Sequence, residues 1–203
     1  IHQYLNLVKK LTQQNKSTQM SEEITRIVTK SKSNFESYLA LKNSENEIYE
    51  EVIKETVIPF FKSFAINNNL SIKNIESSLL LEIGRYNGFS FTNELMQSKG
   101  IQLTIQFGSH NNKDVYYGFS FIKENTQVTP FLKEVFNECD KIMDKNHQPN
   151  SWWLSHAFIP EYKDWKNVET LYDIKYGNFK NFMSLKLEAL LQVLNSVSDN
   201  FNN

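Results

Sequence analysis

Ile101-Gln102-Leu103-Thr104-Ile105-Gln106-Phe107 alternates apolar and polar residues without a fault, which predicts a β-strand with Ile101, Leu103, Ile105 and Phe107 on one face. Gly108-Ser109-His110-Asn111-Asn112 supplies turn chemistry, and Val115 to Ile122 returns as an aromatic strand. The two form an antiparallel hairpin. Upstream, Ser77 to Gly84 reads as a strand, and Phe89 with Phe91 begins another or forms an extended edge. Gly118, inside Tyr116-Tyr117-Gly118-Phe119, marks a bulge or a close approach by another backbone.

Outside this stretch the period changes from two to about 3.6. Ile1, Tyr4, Leu5, Leu7, Val8 and Leu11 predict an amphipathic helix over 1–12. Ser21 with Glu22 and Glu23 predicts the cap of a second helix, broken near Ser31 to Ser33, whose stripe runs from Ile24 through Phe35, Tyr38, Leu39 and Leu41. Ser44-Glu45-Asn46-Glu47 is a capping box opening a third, in which Pro59 introduces a kink. On the other side of the strands, Thr129-Pro130 opens a helix to about Asp144. Trp152-Trp153 through Pro160 is an apolar segment whose type stays open. Asn167 starts a short helix to about Tyr176, and Phe179, Phe182, Leu185, Leu190, Leu194 and Val197 drive a closing one. The expected fold is α+β: N-terminal helices, a central, mostly antiparallel sheet containing the 101–107/115–122 hairpin, and C-terminal helices packed on it. A single domain over 1–203 is expected, with a helical arm at 1–70, strands at 75–125 and helices at 129–200. Abundant Asn fits turns, where it tolerates left-handed backbone.

With 22 basic and 23 acidic residues, the net charge of -1 gives no global footprint for nucleic acid or an anionic membrane, so any such contact is local. Fifteen Phe and nine Tyr are too many core-formers for a disordered chain. The single Cys139 excludes an internal disulfide and a thiolate zinc site, and it favours a reducing compartment, with the cytoplasm as the expected location. No apolar run approaches the length that spans a bilayer, so no membrane partner is expected. The chain begins Ile1-His2-Gln3-Tyr4 without Met and already in helical period, which reads as a piece of a longer protein; a trimmed or omitted initiator Met is the alternative.

His2, His110, His147 and His156 stand at no metal-ligand spacing. His110 reads as a turn residue, His147 as a loop residue and His156 as a partly buried ring near the tryptophans. Cys139 reads as a buried thiol, and the six glycines form no phosphate-binding pattern. The combination with most chemical content is aromatic and basic: Arg85 and Tyr86, Lys99, Trp152 and Trp153, then Lys163 and Lys166 around Trp165. Such residues stack on bases and hold phosphates. Core packing is the favoured reading of the tryptophans, and Glu161 and Asp164 offset the two lysines.

Gln3-Tyr4-Leu5-Asn6-Leu7-Val8-Lys9-Lys10-Leu11-Thr12, the strand at 101–107, the Tyr117-Gly118 strand and Trp152-Trp153-Leu154 before a closing helix occur here in that order. Together they resemble the C-terminal half of a large bacterial and phage family in the PD-(D/E)XK nuclease superfamily, in which a restriction-endonuclease-like core runs into a Gln-Tyr-x-x-Leu-x-x-x-Leu-Thr helix. That family's chemistry is an Asp and a Glu-x-Lys on adjacent strands around Mg²⁺. The nearest candidate strand here, Leu79-Leu80-Leu81-Glu82-Ile83-Gly84, has Gly where Lys is required. The resemblance therefore implies no catalytic and no metal-ligating residue in this chain, no cofactor of its own, and Mg²⁺ only in a nuclease core upstream of Ile1. It implies a non-catalytic accessory domain whose partners are DNA through the parent protein, that upstream core, or a second copy in a homodimer. The alternative is a protein-interaction or oligomerisation module, using the N-terminal helices and the hairpin edge, that does not bind nucleic acid. An enzyme with a scattered site ranks last.

Overall fold

In the computed structural model, which describes residues 17–80, 86–110, 112–144 and 147–202, the strand expected at 101–107 is the middle strand of five. The strands are β1 (Ser71–Lys73), β2 (Asn87–Thr92), β3 (Ile101–Ser109), β4 (Lys113–Phe121) and β5 (Trp153–Phe158). They lie in sequence order and every neighbouring pair is antiparallel. The fold is α+β, with helices before and after this sheet.

Two units divide the chain, Ile1–Ile48 and Tyr49–Asn203. The first contains α1 (Ser17–Val28) and α2 (Lys32–Asn43), separated at Ser31, whose side chain caps α2 by accepting from the Asn34 N–H. Ser21 lies inside α1 rather than capping it. The helix expected over 1–12 lies outside the described residues. Helix α3 (Glu45–Val52) opens as the capping box predicts, and from Tyr49 onward its residues belong to the second unit. Residues 49–67 are therefore core rather than arm: Tyr49, Ile53, Val57, Phe61 and Phe64 are buried.

Pro59 does not break this helix. It has no N–H to donate and its ring crowds the carbonyl one turn back, and the turn before it widens into a π-helix at Ile53–Val57, where the Ile58 N–H reaches the Ile53 carbonyl. Helix α4 (Ile58–Asn67) then continues to Asn68.

Ser77 to Gly84 is not a strand where it is described. Asn74 takes a φ of +63° and turns the chain into helix α5 (Ile75–Leu80), which buries Ile75 and Leu79 at a spacing of four. Residues 81–85, Arg85 among them, lie outside the described residues. Among the described residues, four of the six non-glycine residues with positive φ are asparagines: Asn69, Asn74, Asn112 and Asn125.

One face of the sheet carries the core. Ile101, Leu103, Ile105 and Phe107 of β3 lie directly opposite Phe121, Phe119, Tyr117 and Val115 of β4, and all eight are buried. The rings of Phe61 on α4 and Phe89 on β2 meet at 4.9 Å. Helix α6 (Glu94–Ser98) adds Met96, and α7 (Pro130–Ile142) adds Phe131, Leu132, Val135 and Cys139. After α8 (Val168–Tyr176), the long α9 (Phe179–Asn202) buries Phe179, Met183, Leu187, Leu190, Leu194 and Val197, an i, i+4, i+8 stripe. Leu185, expected on that stripe, points away and is 69% exposed.

The segment at 152–160 resolves into β5. Its alternation is broken because the register shifts between Phe119 and Ser120: Phe119 pairs with Ser155 and Ser120 with Trp153, leaving Leu154 as the extra residue of a bulge. Leu154 and Ser155 both turn inward, and the Ser155 hydroxyl contacts the Met143 sulfur at 3.2 Å. Trp153 and His156, three residues apart, consequently share the opposite face. The β5 edge and the free end of β2 are both engaged. The Ser78 hydroxyl and Asn87 side chain close the end of β2, while the His147 and Asn150 N–H groups donate to the His156 and Trp153 carbonyls. The hairpin strands are paired on both sides, so they offer no edge to a partner.

At Gly118 the β5 backbone leaves no room for a side chain: an added Cβ would sit on the Ser155 carbonyl oxygen, and φ is +155°. Gly118→Ala is expected to destabilise the protein by about 3 kcal/mol or more, because backbone rather than a mobile side chain must give way. Urea unfolding checks this, with Gly108→Ala, whose tightest neighbour is the Tyr116 ring edge at 3.1 Å, expected to cost less than half as much.

Candidate binding cleft

On the side of the sheet away from these helices, register places three cross-strand rows. Gly88, Gln106, Tyr116 and Phe158 form the first; Ser90, Thr104, Gly118 and His156 the second; Gln102, Ser120 and Trp153 the third. These side chains floor a cleft of about 1560 Å³, whose walls include Tyr86, Asn150 to Trp152, and Lys163. That volume exceeds the roughly 300–1,000 Å³ of a pocket for one drug-sized molecule, so the cleft suits an extended ligand.

The floor differs from half to half. On β2 and β3 it is small and uncharged. The Thr104 and Ser120 hydroxyls lie 2.7 Å apart, the Gln102 amide donates to Ser120 at 3.2 Å, and Gln106 is held at both ends, its Oε1 accepting from the Tyr116 hydroxyl and its Nε2 donating to the Tyr86 carbonyl, each at 2.6 Å. Hydroxyls keep acceptor capacity beyond these bonds. On β4 and β5 the floor is aromatic: Trp153 meets Tyr116 at 5.2 Å and His156 at 5.1 Å, and Phe158 meets Tyr116 at 5.6 Å. His147 stacks on His156 at 4.7 Å.

Three rings at the cleft stand out of the core. Trp152 is 54% exposed although its backbone is pinned, its N–H donating to the Asn150 side chain and its carbonyl accepting from Phe121. Phe158 is 51% exposed. Tyr86 is 56% exposed and has a φ of +68°. A bulky residue in that region costs about 1–2 kcal/mol relative to ordinary backbone, and the carbonyl of Phe107 and the amide of Gln106 hold it there.

Among the described residues, the charges at the cleft are balanced at one end. Lys163 pairs with Asp114 at 3.4 Å and Lys113 with Asp164 at 2.9 Å, a crossed pair that ties the start of β4 to 163–164. The Ser109 hydroxyl, then Lys163, holds the Asp114 carboxyl below its usual range. Among the described residues lining the cleft, Lys163 is the one lysine or arginine and Asp114 the one carboxylate. A lone lining carboxylate already engaged by Ser109 and Lys163 does not fit Mg²⁺, which needs clustered oxygen ligands. Among the described residues no group of three or more His, Cys, Asp or Glu is arranged to hold a metal ion. Cys139 is fully buried and burial pushes its thiol up to about 12, far from a reactive thiolate.

Of the residues singled out from sequence, Tyr86, Trp152, Trp153 and Lys163 come together at this cleft. Lys99 lies elsewhere, its ammonium 4.6 Å over the Phe131 ring, and Lys166 sits 5.1 Å over Tyr49. Arg85 is outside the described residues. Trp165 is core, edge-on to Phe107 and Phe179. Sequence reasoning missed Ser90, Gln102, Thr104, Gln106, Ser120, Tyr116 and His156. A signal was present: the polar positions alternating with the β3 core residues are Gln and Thr, with none of the lysine or glutamate common on a solvated sheet face.

The chain matches no family model, no curated protein and no solved structure. No helix among the described residues is long and apolar enough to cross a membrane.

Burial, then the neighbouring His147, lowers the His156 pKa from 6.5 to about 4. Below pH 6.5 the unfolded chain takes up this proton while the folded one does not, so stability falls between pH 6.5 and 4 and the loss is complete below that. Screening by solvent at the cleft limits the loss to about 1–2 kcal/mol. Urea titrations at pH 7 and pH 5 check the sign, and His156→Gln is expected to flatten the difference.

Proposed function

We propose that this chain is a non-catalytic accessory domain of a PD-(D/E)XK-type, Mg²⁺-dependent nuclease, and that the open face of its sheet contacts nucleic acid. The observation that carries this is the exposure of Tyr86, Trp152 and Phe158 around a polar floor. Burial in the core would have been the ordinary fate of such rings, and sequence-tolerant stacking on bases is what exposed rings in a cleft do well. The order of motifs shared with that family supplies the parent. The one Glu-x-Lys of the sequence, Glu161-Tyr162-Lys163, follows β5 on a 3-10 turn rather than lying on a strand, which supports the non-catalytic role, and the metal belongs to the parent's core.

A second reading rests on α2, which buries none of its residues: Phe35, Tyr38, Leu39 and Leu41 are 39 to 47% exposed. A helix whose large apolar side chains stay this exposed suits self-association.

Fluorescence anisotropy with labelled oligonucleotides tests the first reading. Trp152→Ala, which removes a ring the core does not use, is expected to weaken binding about tenfold, within the range of about 1–3 kcal/mol for one stacked base. Cleavage of DNA or RNA by the purified chain with Mg²⁺ would contradict the non-catalytic assignment. A stable dimer by sedimentation, indifferent to nucleic acid, would replace it with the second reading.

A further inference from the structure

The cleft holds its chemistry in an order that specifies what part of a nucleic acid it takes. The three rows of the floor run along the strands from Gln106 and Tyr116 to Gln102 and Ser120. Four residues of extended chain separate the outer rows, about 13 Å, the length of roughly three or four bases stacked at 3.4 Å. Across the strands, hydroxyls and amides face aromatic rings, which is the pairing of partners that a base needs: an edge with donors and acceptors, and a flat apolar face. A phosphate backbone needs cations instead, and Lys163, already paired with Asp114, is the one lysine or arginine lining the cleft among the described residues.

Tyr86 adds a second, independent observation. Glycine would satisfy its φ of +68° without strain, yet the position carries a large ring that recovers little by burial, being 56% exposed at the wall of the cleft. A strained backbone that displays a ring to a cleft is understandable as a clamp on a ligand.

Resting on the reading that this face contacts nucleic acid, we propose that the cleft takes a short run of unpaired bases, read by stacking and by the Ser, Thr and Gln floor, with Tyr86 as a clamp and little contribution from phosphate. The shared chemistry is the unpaired base, whether from DNA or RNA.

The test compares four probes on the full chain: a labelled single-stranded DNA 12-mer, the RNA of the same sequence, the DNA duplex, and an abasic strand of equal length and charge, each over a salt series. One of the two single strands is expected to bind at least tenfold more tightly than the duplex and the abasic strand, and the DNA–RNA comparison identifies the source of the base. With one or two phosphate contacts, the slope of log affinity against log salt is expected to be about -1. Tyr86→Gly is expected to lose at least tenfold in single-strand affinity while its Tm stays level or rises, which separates lost contact from lost fold. Equal binding of abasic or duplex probes, with a slope of about -4 or steeper, would overturn base recognition and leave the nucleic-acid reading standing; unchanged affinity in Tyr86→Gly would overturn the clamp. No binding to any of the four probes would overturn the nucleic-acid reading itself.

Discussion

The two faces of the sheet are unequal, and the rest of the structure depends on that inequality. Strand geometry sends alternate residues to opposite sides, so one choice of register commits Ile101, Leu103, Ile105 and Phe107 to the helices and Gln102, Thr104 and Gln106 to the cleft. A slip by one residue would place three polar side chains in the core and four large apolar ones in the open. Burial of each large apolar side chain stabilises by about 1.5–3 kcal/mol, so the register is strongly determined. The cleft is the other side of the same decision.

Two local departures from regularity complete it. At Gly118 the absence of a side chain lets the Ser155 carbonyl approach, and one residue further the bulge at Leu154 rotates β5 so that Trp153 and His156 face the same way. Without the extra residue, one of the two would point into the helices. Aromatic rings then line the β4–β5 half of the floor, and the small side chains of β2 and β3 leave the space above the other half open. Tyr86 and Trp152 are held at the cleft wall by backbone hydrogen bonds, with more than half of each residue exposed.

What was legible in the sequence followed from regular periodicity. The perfect alternation at 101–107, the return into an antiparallel partner strand, the Thr129-Pro130 start and the Asn167 cap all appear where physical signals are local and unopposed, although Gly108 and Ser109, expected in the turn, extend the strand instead. What was not legible came from tertiary context. Ser77 to Gly84 looks extended by its apolar run, but Asn74 and the Ile75–Leu79 spacing make its described part helical. β5 hid because a bulge interrupts its alternation. Of the site, Tyr86, Trp152, Trp153 and Lys163 were visible as aromatic and basic types, whereas Thr104, Ser120 and Gln106 are unremarkable residues whose importance arises only from sharing a concave face. Lys99 and Lys166 were chosen by type too, and the fold uses them over the Phe131 and Tyr49 rings instead.

The open face as the point of contact is tested most directly by mapping. Backbone amide NMR of the isotope-labelled chain, titrated with a single-stranded oligonucleotide, should shift the amides of Ser90, Thr104, Gln106, Gly118 and Ser120 while those of α8 and α9 stay in place. Shifts confined to the helices, with the sheet amides unmoved at saturation, would contradict the assignment of this face.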